Sequence, residues 1–449
     1  MMKIGKGRFF LIFTFCILSI FATYKLHRRH IRHLLREEIA PHKTSLTSPF
    51  SHAYAYFTLK DRLRPLSTRL AVFFPEAAGK AGYRISNEYD LSRVNEPFSL
   101  ESFEADDWRV ATIDKELAPF EGQVFTKGDF EAFLAPLALE EDWERKYQLG
   151  YFYIRGGELY VKDFTRQHPR FKEVCLALVR LTKHTPSLPD MAFIVSMHDS
   201  LEHDSLPFDS KLMKGAKVPI FVCSKTKQSS FICLPDHEML AGYKALETLV
   251  TNPKRQSPWQ EKESKAFWRG ATTSGDYSKP DWERFARSKL IKASIEASDS
   301  VIDAKFSFLT DQANLNENFC AYCQDKGAIS SFVKVEDHLQ YKYLIDIDGN
   351  ASTYSRFYWI LRSDTMPLKV DSEFTQWYYP GLTPGVHYLG VDGDLRNLYH
   401  QVLWAQAHDE RAYHIAQQGA LFAKRYLSDD GVYSYLYYLL LRYSALYSD

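Results

Sequence analysis

The residues with chemical potential in this sequence stand where short apolar runs stop. Met191 to Met197 runs into His198-Asp199-Ser200, and Val218 to Val222 into Cys223-Ser224-Lys225. Lys265 to Arg269 leads into Gly270-Ala271-Thr272-Thr273-Ser274-Gly275. Tyr343 to Ile347 leads, past Asp348, into Gly349-Asn350-Ala351-Ser352-Thr353-Tyr354-Ser355-Arg356. Continuous apolar runs of this length read as strands of a parallel sheet covered on both faces. Ligands of such sheets bind beyond the carboxyl ends of the strands, so these polar endings are the candidate site residues. The turn after Arg269 sets small hydroxyl residues between two glycines, which lets backbone N–H groups approach a phosphate. It has neither the Gly-Lys-Ser/Thr of a P-loop nor the G-x-G-x-x-G dinucleotide fingerprint, and a purely structural turn is the competing reading. The turn before Arg356 has the same strand-to-helix form. There a guanidinium and free N–H groups can clamp a diphosphate, against the alternative of an ordinary N-cap with a surface arginine.

Two further patterns resemble metal or redox sites. Asp346-x-Asp348 has the spacing of paired aspartates around a divalent cation, but Asp346 lies inside an apolar strand, which argues against a metal. Cys320-x-x-Cys323 is half of a zinc or redox pattern with no second Cys or His pair near it, so the spacing reads as coincidence.

The elements that must position these residues alternate between strand and helix. Further strands are expected at Thr365 to Val370 and Val386 to Val391. Helices are expected at Phe171 to Leu181, Trp282 to Ala297, Leu395 to Ala423 and Val432 to Tyr447, with a polar loop over Leu249 to Lys265. No 20–50-residue period recurs, which excludes solenoids and propellers. Two α/β halves meeting at a cleft are the simplest arrangement. The chain has 449 residues, with 56 basic against 56 acidic side chains, 45% hydrophobic and 15% aromatic. That composition excludes a mostly disordered, collagen-like or polytopic membrane protein, and the neutral balance argues against a nucleic-acid partner.

The start of the chain is different. Phe9 to Thr23 is apolar and uncharged, with Lys3, Lys6 and Arg8 before it and Lys25 after. It is shorter than the ~20 residues usual for a span, but flanking cations can snorkel. No small-x-small cleavage site stands out, so a retained single-pass anchor over residues 9–24 is expected rather than a cleaved signal peptide. A tail over 1–8 precedes it and a basic stalk over 25–50 follows. The expected body comprises an N-terminal half over 51–235, a C-terminal half over 236–425 and a packed helix over 426–449. Lys25, Arg28, Arg29, Arg32 and Arg36 place that body on the cytoplasmic side of a bacterial membrane, whereas a eukaryotic secretory protein would carry it in the lumen. Of six cysteines, Cys16 lies in the apolar segment, and an odd number remains, which leans toward a reducing compartment.

Side by side, these segments resemble glycosyltransferase family 90, which includes protein O-glucosyltransferases, capsule-associated xylosyltransferases and lipopolysaccharide-modifying enzymes. The resemblance is carried by Phe267-Trp268-Arg269-Gly270 with its Thr/Ser/Gly tail and by His338 through Arg356. Trp377-Tyr378-Tyr379-Pro380, Leu382, Pro384, Val386-His387-Tyr388 and Asp394-Leu395 continue it. Upstream, Val218-Pro219-Ile220-Phe221, Ser224-Lys225 and Pro235-Asp236 are similar too. It runs from about residue 190 to the C-terminus.

The resemblance implies an α/β fold of the GT-B type, two Rossmann-like domains facing a cleft, with a UDP-sugar donor as co-substrate and no metal or other cofactor. It implies Asp199 as the general base. It also implies a donor site built from Arg269, Gly270, Ala271, Thr272, Arg284, Gly349, Asn350, Ala351, Ser352, Thr353, Tyr354, Ser355 and Arg356, with Arg284 as the second phosphate-contacting arginine. Ala271 stands where some members have serine, and His198 where the animal enzymes commonly have arginine. The expectation is a membrane-anchored inverting transferase that moves glucose or xylose to a hydroxyl of a glycan or lipopolysaccharide. The alternatives are a protein O-glucosyl- or xylosyltransferase acting on Ser/Thr, and a non-catalytic sugar-nucleotide-binding scaffold.

Overall fold

The computed structural model describes residues 93–139, 143–162, 170–199, 201, 216–255, 257–297 and 301–448. The expected anchor, its orientation and the stalk lie outside the described residues. Among the described residues no helix is long and apolar enough to cross a membrane.

Alternation between chain-local pairing and long crossovers produces two five-stranded sheets. In the first, β1 (Leu149–Arg155) and β2 (Glu158–Val161) form a hairpin closed by Gly156-Gly157. Both glycines have positive φ (56° and 77°), the backbone a two-residue turn needs to follow strand twist. β3 (Met191–Ser196) pairs antiparallel with β1, and β4 (Ile220–Val222) and β6 (Ile232–Cys233) extend the sheet in parallel. The order is β2-β1-β3-β4-β6. This sheet is therefore mixed, where the apolar runs alone suggested parallel pairing. The short β5 (Lys225–Thr226) leaves it.

The second sheet is parallel throughout. It contains β7 (Glu263–Ala271), β8 (Ile302–Phe308), β9 (Tyr341–Asp346), β10 (Met366–Val370) and, after the short β11 (Phe374–Thr375), β12 (Leu389–Val391). The order β12-β10-β9-β7-β8 puts β7 and β9 side by side, so their terminal turns are neighbours. Strand alternation sends Phe267 and Leu344 into the apolar cluster around the first sheet, and Trp268, Tyr343 and Ile345 into a second cluster.

Seven helices matter to the site. They are α1 (Trp108–Leu117), α2 (Arg170–His184), α3 (Ala286–Glu296), α4 (Tyr354–Arg362), α5 (Leu398–Ala407), α6 (Asp409–Tyr426) and α7 (Asp429–Tyr443). In α2 the buried residues Phe171, Val174, Cys175, Leu178 and Leu181 recur at helical spacing and face the core. The stretch expected as one helix over Leu395 to Ala423 breaks at His408, whose φ/ψ of −125°/51° is not helical. The hydroxyl of Ser428 caps α7, and the ring of Tyr443 lies edge-on to Phe193 and Phe221, so the end of the chain covers the first sheet.

The carboxyl ends of the sheets are fastened to each other. β5 pairs antiparallel with β11, and the hydroxyl of Ser224, just past β4, donates to Ser352 Oγ at 3.0 Å. Lys225 is buried, and its ammonium donates to Glu116 Oε2 of α1 at 2.8 Å, an oxygen that also accepts the Cys233 N–H at 2.7 Å. Removing one partner of such a buried pair leaves an uncompensated charge, so this clasp fixes where the two strand ends meet.

Candidate active site

On the first sheet, β3 ends in Met197-His198-Asp199, and Asp199 comes out half-buried. Its carboxylate is held by Arg170, the first residue of α2, at 2.7 Å through Oδ1; the same guanidinium nitrogen donates to the Met197 carbonyl at 2.9 Å. Burial alone would lower the Arg170 guanidinium, but the charge and hydrogen bond of Asp199 outweigh it and hold it above the ordinary arginine range.

On the second sheet, the turns after β7 and β9 interlock. The Ser274 N–H donates to Asn350 Oδ1 at 3.2 Å. Ser274 has φ of 78°, a left-handed conformation uncommon outside glycine and frequent at functional sites. Gly270 marks a register shift in β7, and a Cβ there would lie 2.4 Å from the Trp268 ring. A Cβ on Gly349 would lie 2.8 Å from Thr273 Oγ1 and 3.0 Å from Arg287 Nη2, so glycine is what lets that guanidinium pass under the turn.

Arg287 is buried, and its nitrogens donate to the carbonyls of Asp348 (2.9 Å), Ala271 (2.8 Å) and Ile347 (3.4 Å). Half-buried Arg356, in the first turn of α4, donates to the Arg269 carbonyl at 2.8 Å. Among the described residues neither guanidinium forms an ion pair. Burial pulls Arg287 down to about 10, with the like charge of Arg356 adding to the effect. Burial likewise lowers Arg356. Behind them, His338 lies edge-on to Phe267 and Trp359. Burial, and then Arg356 and Arg269, push its imidazole down to about 4, against the backbone bond to Lys334. Buried Arg287 and half-buried Arg356, the latter in the first turn of a helix, have no carboxylate at ion-pair distance among the described residues, although the charges of Asp346 and, at Arg287, Asp348 act on them from further away; the arrangement is suited to an anion.

The two carboxyl ends share one space. Tyr354, the first residue of α4, lies within the electrostatic reach of Asp199, Arg170 and Cys223, and with burial as the larger cause its phenol is raised well above the ordinary tyrosine value. The Ser224–Ser352 bond places the end of β4, next to β3, against the Gly349–Arg356 turn, and the Asp199 charge is felt at Tyr354.

The remaining candidates fall into place unequally. Arg269 spends its side chain on Asp303 (2.8 Å) and reaches the site through its carbonyl, as does Ala271. Thr272 is buried with its hydroxyl taken by the Thr310 N–H. Ala351 and Ser352 are buried, Ser355 is half-buried, and Thr353 turns its hydroxyl to Asp346. Arg284 is not brought to the site. It precedes α3 in a 3₁₀ turn, is 69% exposed and pairs with Asp281. The buried face of α3 contains Arg287, Leu290, Ile291 and Ser294, so helical phase selects Arg287 instead. Arg170 was missed as well, because nothing local in the sequence links it to Asp199.

Asp346 accepts Lys369 at 2.8 Å and the Thr353 hydroxyl, so its oxygens serve a buried salt bridge. Asp348 accepts Ser372. Among the described residues no group of three or more His, Cys, Asp or Glu side chains is placed to hold a metal ion. Cys320 and Cys323 are free thiols on one helix.

A family model described as glycosyl transferase family 90 matches residues 110–448, which extends the similarity upstream of the motif-bearing segments to α1. The chain is 26% identical over 308 residues to protein O-glucosyltransferase 2 of Danio rerio, covering 67% of this chain and 56% of that protein. It is 27% identical over 280 residues to human protein O-glucosyltransferase 3 (61% and 49%), and 28% over 276 residues to human protein O-glucosyltransferase 1 (58% and 64%). The chain therefore spans about half to under two thirds of the length of these relatives. With the match covering most of its length, the chain belongs to glycosyltransferase family 90.

Proposed function

We propose that this glycosyltransferase moves glucose or xylose from a UDP-sugar to a Ser or Thr hydroxyl of a protein acceptor, with inversion and without a metal. The observation that carries the donor side is the pair of Arg287, from α3, and Arg356, in the first turn of α4, two guanidiniums hydrogen-bonded to the carbonyls of the β7 and β9 turns without an ion-pair partner among the described residues, which a diphosphate would neutralise. The two sheets with interlocked carboxyl ends support a GT-B reading, in which the donor lies against the second sheet and the acceptor enters beside the first. The acceptor class rests on the relatives, which are named as acting on proteins. That moves the reading away from the lipopolysaccharide or glycan acceptor expected at first.

The geometry supports the following mechanism. The Arg170 bond orients the Asp199 carboxylate through Oδ1 and leaves Oδ2 to take the proton of the acceptor hydroxyl. The freed oxygen attacks the anomeric carbon from the face opposite the diphosphate, and the carbon–oxygen bond to UDP breaks. The charge released on the diphosphate meets Arg287, Arg356 and the first N–H groups of α4, which need no reorganisation to receive it. Arg284 has no part in this, and Arg269 takes part through its carbonyl, which accepts from Arg356, while its side chain is bonded to Asp303.

The test is transfer from UDP-glucose and UDP-xylose to folded serine-bearing protein domains and to oligosaccharides, followed by mass spectrometry. Protein should be modified by the wild type and not by Asp199→Asn, while UDP still raises the melting temperature of that variant. Undiminished transfer by Asp199→Asn removes the base from its role, and transfer to oligosaccharides alone overturns the protein acceptor.

A further inference from the structure

Thr353 is the N-cap of α4, in the extended conformation of a capping residue (φ −76°, ψ 106°), yet its side chain makes no capping bond. The other Ser and Thr residues at N-caps among the described residues, Thr126, Thr310 and Ser428, each accept an N–H of the helix they start. Thr353 instead donates to Asp346 Oδ1, and Asp346 Oδ2 accepts the Lys369 ammonium at 2.8 Å. Asp346 is fully buried, and the Lys369 nitrogen sits 4.4 Å and 4.5 Å from the ring centroids of Phe357 and Tyr379. A bare α4 terminus is unfavourable on its own terms, since its first turn has no acidic residue and carries Arg356.

We propose that Asp346 and Lys369 are positioning residues that hold the Thr353 hydroxyl off its own helix, so that the first N–H groups of α4 stay open for the donor diphosphate. The inference rests on the donor reading above and adds to it a reason for the buried salt bridge. Released from Asp346, the hydroxyl would fall into the usual capping position and compete with the ligand for an N–H. Because a Thr cap contributes roughly as much as one hydrogen bond, the competition should weaken UDP binding about fivefold.

The experiment is calorimetric titration of UDP into the full chain and two variants. Asp346→Leu with Lys369→Met removes both charges together, so neither is left buried alone. The second variant adds Thr353→Val, which removes the hydroxyl that would cap. UDP affinity should fall about fivefold in the double variant and return to within about twofold of wild type in the triple. A purely structural salt bridge would not be rescued by Thr353→Val. Equal weakness of the double and triple variants, or wild-type affinity in the double, overturns the inference while leaving the donor reading intact. A wild-type chain that binds no UDP overturns both. Hydrogen exchange on the wild type gives a second measurement that needs no variant to fold. The amides of Ser355 and Arg356 should exchange fast in the free chain and slow once UDP is added, and amides already protected without ligand contradict the open cap.

Discussion

The carboxyl ends of the two sheets look alike in sequence and differ in how their charges are paired. At the end of β3 the ionisable groups are satisfied within the protein, with Asp199 and Arg170 in one ion pair at 2.7 Å. At the ends of β7 and β9 the cations Arg287 and Arg356 are bonded only to carbonyls, and burial lowers both. A site that holds a reacting carboxylate in one orientation needs a complete local structure. A site that must accept and release a diphosphate gains from an incomplete one, because the missing charge is supplied by the ligand. On the proposed reading the first edge takes the acceptor's proton, and the second binds the donor and receives the charge of the leaving diphosphate.

If that division holds, variants on the two edges should separate kcat from affinity. The largest effect is expected for Asp199→Asn. Its kcat should drop by about 10²–10⁴-fold with UDP affinity nearly unchanged, and loss of UDP binding instead would erase the distinction. Arg287→Met should weaken UDP about 10–100-fold, the range for one charged hydrogen-bonding contact, and should reduce UDP-induced stabilisation in a thermal melt. An unchanged UDP-induced melting shift would mean that its three carbonyl bonds are its whole role.

Arg170→Met should lower kcat about tenfold, since the Asp199 carboxylate loses the bond that orients it. A kcat equal to wild type would leave Arg170 as mere packing. The smallest effect falls on His338. Its folded value of about 4 lies below the unfolded 6.5, so the unfolded chain binds the extra proton, and the free protein should lose stability as pH falls from 6.5 to 4. Bound UDP would offset Arg356, raise the imidazole pKa and reduce that loss. An NMR titration of the His338 ring with and without UDP reads this directly, and no change on binding would separate His338 from the donor site.

Much of the second edge was legible because β7, β9 and β10 are buried on both faces. Such strands read as continuous apolar runs, and their ends announce the turns that follow. Arg356, past β9, becomes a candidate that way, as does Asp199 past the likewise buried β3 on the first edge. What was missed depended on phase or on distance along the chain. Choosing between Arg284 and Arg287 needs the helix start, which lies after Arg284, so that only the latter joins Leu290 and Ile291 on the buried face. The pairing of Arg170 with Asp199 bridges 29 residues and two elements, with no periodicity to report it. The β1–β2 hairpin did leave a local signal in Gly156-Gly157, which the apolar-run reading passed over. The aspartates of Asp346-x-Asp348 had the right spacing for a metal, but Lys369, on the neighbouring strand β10, answers Asp346 instead.

The central claim is that the base and the diphosphate-binding cations occupy different edges, and UDP titration calorimetry on Arg356→Met beside Asp199→Asn tests it most directly. The account predicts UDP affinity at least about tenfold weaker in Arg356→Met and near wild type in Asp199→Asn. Wild-type affinity in Arg356→Met together with lost affinity in Asp199→Asn would contradict it.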